Sequence, residues 1–329
     1  MPEGGRGESD PGPARLDEAL DTKEGLFADD RGRFVPGAFA AYLRTRFDFA
    51  TLSDTEEILV YDLDRGVYVK AEARIKGWLQ AVMGESASAH GANETLGHVQ
   101  RATYLLRNEF NPAGFLCLEN GVLELNPLKV WPHGPEPRFT RQLPVVFDPE
   151  ATCPAFLRFL EQVLPDSELR VIVQLLFGYC LKAGNWLQLA FLLWGGGNNG
   201  KSTLLRILAA LLGLDAVAAR TLQALSSDKF AKASLYGKLA NICPDLPAAP
   251  IAYTGTFKGL TGGDPVTGER KYQNEFTFIN EAVLIFSANQ RPPVDDPTVA
   301  FWRRWVIIPF GVNFEGREDH HLLEKLTTP

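Results

Sequence analysis

A run of apolar residues that passes directly into a glycine-rich turn, and then into a leucine-rich stretch, leaves a chain few ways to fold. Residues 187–194 read as a buried strand and residues 201–212 as a helix that Gly213 closes. Between them lies Gly195-Gly196-Gly197-Asn198-Asn199-Gly200-Lys201-Ser202, which fits the Gly-x-x-x-x-Gly-Lys-Ser spacing of a phosphate-binding loop. Residues without a Cβ let backbone N–H groups curl around phosphate oxygens, and the helix N-terminus adds a favourable dipole. On this reading Gly195 through Thr203 cradle ATP. Lys201 reaches the β- and γ-phosphates, and the Ser202 hydroxyl ligates Mg²⁺. The bland alternative, a glycine-rich turn that happens to end in Lys-Ser, does not explain both flanking elements.

The loop alone leaves kinase, GTPase, ATPase and helicase open, and downstream features narrow the choice. Short apolar strands at 239–242, 282–286 and 306–308 alternate with helical or looped stretches, the pattern of an α/β P-loop fold with a mainly parallel sheet. Asp245 sits at the end of the first of these strands, where a carboxylate holds magnesium or orients the attacking water. Otherwise it only opens the loop Asp245-Leu246-Pro247. Asn289 follows the second strand, placed to contact the γ-phosphate or its water, unless it serves only the turn before Pro292-Pro293. Phe301-Trp302-Arg303-Arg304-Trp305 sets two guanidiniums beside aromatic anchors. One of them, Arg304 ahead of Arg303, is expected as an arginine finger on a neighbouring subunit's ATP; surface ion pairs or stacking on tryptophan are the alternative.

Composition limits the partners. Apolar residues make up 45% and charged residues 22%, so a large core needs no metal or disulfide staple. A net charge of −7 excludes the uniformly basic surface that coats duplex, so any nucleic-acid contact has to be local. Cys117, Cys153, Cys180 and Cys243 show no metal-ligand spacing and read as reduced, buried small hydrophobes. The opening residues lack the basic-then-apolar order of a secretory signal, and the longest apolar run, 187–194, is too short to cross a bilayer. A soluble, cytoplasmic chain without a membrane partner is expected.

Residues 1–24 are rich in Gly, Pro, Glu and Asp and read as a disordered tail. A smaller α+β region follows over 25–150. Its pattern predicts a helix near 38–43, a hairpin around Asp64-Arg65-Gly66, and a helix over 71–83 with Ile75, Trp78, Leu79 and Val82 on one face. A second helix over 95–107 precedes a hairpin turned by Glu119-Asn120-Gly121, and irregular proline-rich chain runs on to about Asp148. Residues 151–186 form a helical subdomain, with helices over 154–164 and 167–181, the second capped by Asp166 or Ser167. The ATPase core spans 187–315, and 316–329 is a short carboxy-terminal segment.

Taken together these residues resemble the superfamily-3 helicases, and within them the helicase–primases of phages, plasmids and poxviruses. The resemblance is carried by Trp194-Gly195-Gly196-Gly197-Asn198-Asn199-Gly200-Lys201-Ser202-Thr203, Gly237-Lys238-Leu239-Ala240-Asn241-Ile242, Lys258-Gly259-Leu260-Thr261-Gly262-Gly263-Asp264-Pro265, Ser287-Ala288-Asn289 and Trp302-Arg303-Arg304, in that order. Upstream, Asn120-Gly121-Val122-Leu123 and Phe147-Asp148-Pro149-Glu150-Ala151-Thr152-Cys153-Pro154 look like the family's amino-terminal associated region. The resemblance implies an AAA+-type ATPase that assembles with itself into a ring, a hexamer, on single-stranded DNA. It also implies a channel hairpin at Gly268-Glu269-Arg270-Lys271-Tyr272-Gln273. There Arg270, Lys271 and Tyr272 would touch DNA, or else form only a solvated turn.

This sequence departs from that pattern in two ways. Cys243-Pro244 precedes a lone Asp245 where many relatives carry two acidic residues, and the chain stops at Thr327-Thr328-Pro329 where relatives continue. No primase domain precedes Phe34, so a separate primase or replication initiator is the further partner expected. The rival readings are a nucleotide-dependent assembly module without unwinding activity and, less well matched to the downstream motifs, a small-molecule kinase.

Overall fold

The computed structural model describes residues 15–16, 20, 26–251, 254–271, 274–290, 293–294, 296, 298–319 and 321–327. The chain divides into two compact units, Met1–Gln142 and Leu143–Pro329.

The first unit is α+β. It runs α1 (Pro36–Arg46), β1 (Phe49–Leu52), β2 (Ile58–Asp62), β3 (Val67–Lys70), α2 (Glu72–Met83), α3 (Ala89–Ala102), β4 (Tyr104–Leu105), β5 (Phe115–Leu118), β6 (Gly121–Leu125) and β7 (Leu128–Trp131). Two sheets form, ordered β3-β2-β1-β4 and β5-β6-β7. Proline at the start of α1 costs nothing, because the first helical N–H has no partner within the helix. Phe39, Leu43, Ile75, Leu79 and Val99 from the three helices are buried together, and Trp78 stacks on Phe47 with ring centroids 4.3 Å apart. Leu16 is buried in this same core, so at that position the expected tail is packed; most of residues 1–24 lie outside the described residues.

Two boundaries differ from expectation. The helix expected over 95–107 starts six residues earlier, because the Ser88 hydroxyl accepts from Gly91 N–H at 3.0 Å and caps it. It stops at Ala102, where the chain turns to pair Tyr104 and Leu105 in parallel with Thr51 and Leu52. The hairpin at Asn120-Gly121 is present, with a third strand in the stretch expected to be irregular. Gly121 permits it: a Cβ there would lie 2.3 Å from the Trp131 carbonyl oxygen.

The second unit runs α4 (Pro154–Val163), α5 (Ser167–Leu181), β8 (Ala190–Trp194), α6 (Lys201–Leu212), β9 (Val217–Ala218), α7 (Leu222–Ser227), α8 (Lys229–Ala233), β10 (Ala240–Cys243), α9 (Thr254–Gly262), β11 (Pro265–Glu269), β12 (Glu275–Ile279), β13 (Val283–Ala288), α10 (Val299–Trp302), β14 (Trp305–Pro309) and α11 (Leu322–Thr327). Five strands make a fully parallel sheet in the order β14-β8-β13-β10-β9. This is the α/β P-loop arrangement expected of an AAA+-type core. Its central strands are buried along their length, which is why they read as unbroken apolar runs. The strand expected from 187 begins only at Ala190. Asn185 captures the N–H of Leu189 at 3.1 Å and the hydroxyl of Tyr179 at 2.5 Å, holding the preceding residues in a turn. One face of the sheet is sealed by Phe257, Phe286, Phe301 and Trp305, with Phe257 and Trp305 stacked 4.7 Å apart. Cys117, Cys180 and Cys243 are buried as expected, whereas Cys153, at the exposed start of α4, is not. No helix among the described residues is long and apolar enough to cross a membrane.

Asn241 is the polar exception inside β10. It is fully buried, accepting from Arg220 N–H at 2.8 Å and donating to the Arg220 carbonyl at 2.9 Å. That bidentate clip replaces the backbone pairing that the short β9 cannot supply. Replacing Asn241 by Ala strands both groups of Arg220 and is expected to cost about 2–4 kcal/mol in the unfolding of this unit. A urea midpoint equal to that of the parent would remove the clip from the account.

Candidate nucleotide-binding site

Parallel strands deliver all their carboxyl ends to one edge of the sheet, and ligands of open α/β sheets bind there. At this edge β8 passes into Gly195, β13 into Asn289, and β10 through Pro244 into Asp245. Because Trp194 is in register with Ala288, Asn289 comes level with the start of the loop, and Gly195 N–H donates to the Ala288 carbonyl at 3.2 Å. Leu246 N–H donates to the Ser287 carbonyl at 2.7 Å, tying the Asp245 turn to the same edge.

The loop is braced on both sides. A Cβ on Gly195 would sit 2.2 Å from the Phe310 carbonyl oxygen, and one on Gly200, whose φ is +88°, would sit 2.5 Å from Val163 Cγ1. Those two glycines are compelled by neighbouring atoms. A Cβ on Gly196 or Gly197 would meet nothing, so there the bare backbone is left open to solvent. Asn199, buried, donates through Nδ2 to the carbonyls of Gly196 at 2.7 Å and Phe310 at 3.2 Å. Asn198 holds a left-handed backbone, φ +53°, and its carbonyl accepts from Phe314 N–H at 2.7 Å.

Lys201 is buried beneath this loop. Its Nζ donates to the carbonyls of Gly195 and Gly196 at 2.7 and 2.6 Å, and to Oδ1 of Asn199 and Asn289 at 3.0 and 3.3 Å. Burial pushes its pKa down, and the negative charge of Asp245 pushes it back up. The ammonium is thus surrounded by neutral oxygens, and a charged phosphate oxygen is a stronger acceptor than any of them.

These groups line one pocket of about 560 Å³, within the size range of small-molecule sites. Gly197, Asn198, Asn199, Gly200, Lys201, Ser202, Thr203, Asp245 and Asn289 all face it, so the loop, the strand-end carboxylate and the strand-end amide converge as the sequence suggested. Sequence reasoning missed its other walls: Phe159 and Val163 from α4, and Phe314, Arg317, Glu318 and Leu322 from the segment that ends in α11. No local motif marks them. They arrive because α11 packs on α6 and α4 and because Phe314 bonds to Asn198.

The two arginines part company. Arg304 is buried, with Nε donating to the Thr261 hydroxyl at 3.0 Å and its guanidinium reaching the Ala300 carbonyl. Burial and the neighbouring Arg303 charge depress its pKa. A group engaged inside its own chain is not presented to another subunit. Arg303 is exposed and makes no side-chain bond among the described residues, so the preference for Arg304 as a finger is reversed here. At the β11–β12 hairpin, Arg270 lies over the rings of Tyr236 and Phe276 at 5.4 and 5.3 Å, while Lys271 is exposed. Tyr272 lies outside the described residues.

Residues 29–165 match the family model described as "D5 N terminal like", and residues 193–304 match a family of unknown function, DUF5906. A putative helicase of Acanthamoeba polyphaga mimivirus is 30% identical over 163 residues, 47% of this chain and 17% of that protein. A putative helicase of Invertebrate iridescent virus 6 is 26% identical over 64% of this chain and 23% of its own length. For the putative primase of African swine fever virus the figures are 24%, 63% and 24%. The C-terminal region of NrS-1 shares the fold, with a TM-score of 0.54 at 16% identity over 88% of this chain and 64% of that one. By these likenesses the chain resembles the helicases and primases of viruses. It spans about a fifth of the length of the curated relatives it matches.

The arginine pair gives this helicase–primase relative a clean test. Arg304→Ala removes a buried, doubly bonded guanidinium and should cost about 2 kcal/mol, lowering the melting temperature by roughly 4–8 °C. Arg303→Ala should leave the melting temperature unchanged. Equal thermal shifts in the two variants would contradict this assignment.

Proposed function

We propose that this chain is the ATP-hydrolysing motor of a superfamily-3-type DNA helicase, acting in the replication of a phage, plasmid or mobile element. The observation that carries the reading is the convergence of Lys201, Ser202, Asp245 and Asn289 on one pocket at the carboxyl edge of the parallel sheet. The relatives named as helicases and primases support it.

In this reading the bare amides of Gly196 and Gly197 and the N-terminus of α6 receive the triphosphate. Lys201 exchanges loop carbonyls for β- and γ-phosphate oxygens. Asn289, already bonded to Lys201, orients the attacking water or registers the γ-phosphate. The Ser202 hydroxyl and the exposed Asp245 carboxylate are hard oxygen donors on the same wall, which suits Mg²⁺, a cation that takes only one or two protein ligands beside phosphates and water. When bound, it would neutralise charge developing on the transferred phosphoryl group. No group of three His, Cys, Asp or Glu side chains among the described residues is placed to hold a metal ion, as such phosphate-assisted binding allows. Arg303 of an adjacent copy in the ring supplies the finger, and the Lys271 hairpin grips a phosphate of single-stranded DNA.

ATP turnover stimulated by single-stranded DNA is the expected activity, and Lys201→Ala should reduce it by about a hundred-fold or more. Asn289→Ala should keep nucleotide affinity and lose turnover. Because Asp245 is the one carboxylate at its strand end, a nucleotide-dependent assembly module is the second reading. Tight ATP binding with no turnover, stimulated or not, would select it over the motor.

A further inference from the structure

The amino-terminal unit carries a groove that the ATPase reading leaves unused. Two adjoining pockets, of about 270 and 390 Å³, share Arg44 and Ala102 as common walls. The first is basic: Arg44 from α1 with His98 and Arg101 from α3, over a floor of Gly37, Ala40 and Ala41. Arg44, His98 and Arg101 are exposed, and none makes an ion pair or side-chain hydrogen bond among the described residues. A cation in the last turn of a helix complements the helix dipole, which accounts for one arginine on each of α1 and α3. It does not account for the small-residue floor between them. A Cβ on Gly37 would already press within 3.3 Å of the His98 ring, so this opening exists because α1 gives up side chains there.

The second pocket differs in character. Phe49, Tyr68 and Tyr104 line it, Tyr104 being 44% exposed, and so do the Asp48 carboxylate, which is exposed, and Arg138, which pairs with Glu136. A basic, small-floored recess therefore continues into an aromatic one edged with hydrogen-bond acceptors. Nucleotides are built in the same order, from an anionic phosphate to a flat base with N–H donors.

We propose that this groove binds single-stranded DNA, with a backbone phosphate between Arg44 and Arg101 and a base against Tyr104. A paired duplex keeps its bases stacked inside and offers none to Tyr104, so the strand is single. The choice of DNA over RNA rests on the helicase reading; the contact itself does not.

The test is fluorescence anisotropy of a labelled oligothymidine with the full chain, without nucleotide, so that it reads out even if the protein hydrolyses no ATP. Arg44→Ala/Arg101→Ala is expected to weaken binding roughly ten-fold and to flatten the log–log salt dependence by about 0.7, one single-strand phosphate's worth, with the melting temperature unchanged. Arg44→Lys/Arg101→Lys should restore most of the affinity. Tyr104→Ala should weaken the oligothymidine about five-fold or more and leave an abasic oligonucleotide of equal length unaffected. Unchanged affinity and salt slope in the double Ala variant would overturn the site. Equal binding and equal loss with a duplex would overturn the single-strand assignment, and at least ten-fold preference for the matching oligouridine would overturn DNA.

Discussion

The carbonyl oxygen of Phe310, just past the end of β14, occupies the space where any side chain on Gly195 would have to go, and it also accepts from Asn199. That contact presses the phosphate loop against the edge of the sheet. It is possible only because β14 and β8 are neighbours, in register from Trp305 and Ala190 to Pro309 and Trp194. On the other flank Val163 allows no Cβ at Gly200. Between these two stops the loop has one shape to take, and Lys201 is held beneath it by four oxygens. The positions of Asp245 and Asn289 have meaning only relative to that fixed loop.

The charges follow a common rule: engagement of a cation within the chain decides whether it holds the protein together or reaches outward. Arg304 and Arg270 carry the same guanidinium as Arg303, yet the first is bonded to Thr261 and the second lies across two aromatic rings. Lys229 bridges Glu269 and Glu275 beside the turn of the hairpin, and Gly268 lets that hairpin approach α8 so closely that a Cβ would meet Ala233 at 2.9 Å. These engaged groups tie the hairpin to its surroundings. Arg303 and Lys271 on the second unit and Arg44 and Arg101 on the first are exposed at local sites. A chain of net charge −7 has to contact an anionic polymer in just this way.

How much was legible follows from how local each signal is. The phosphate loop, the strand-end asparagine and the strand-end aspartate could be read because strand, turn and helix each leave a pattern within about ten residues. The Asn120-Gly121 hairpin was legible for the same reason. The expected start of α3 at Thr95 lies inside the helix, where its hydroxyl is buried and spent on the Gly91 carbonyl, and the cap is Ser88. Arg303 and Arg304 are adjacent and chemically identical, so only the position of Thr261 distinguishes them. The pocket walls from Phe159 and from 314–322 left no trace, since they reach the site through packing across the sequence.

What this sequence determined unaided was the chemistry available and its local geometry. A glycine-rich loop between a buried strand and a leucine-rich helix gathers open amides and an ammonium at one strand end, because bond geometry and helix polarity act over a few residues. The tertiary structure alone decided which distant groups complete the site and which of two like residues faces outward. Those outcomes depend on strand order and on which neighbour fills each space, and contacts between residues a hundred positions apart are set by the packing of the whole sheet.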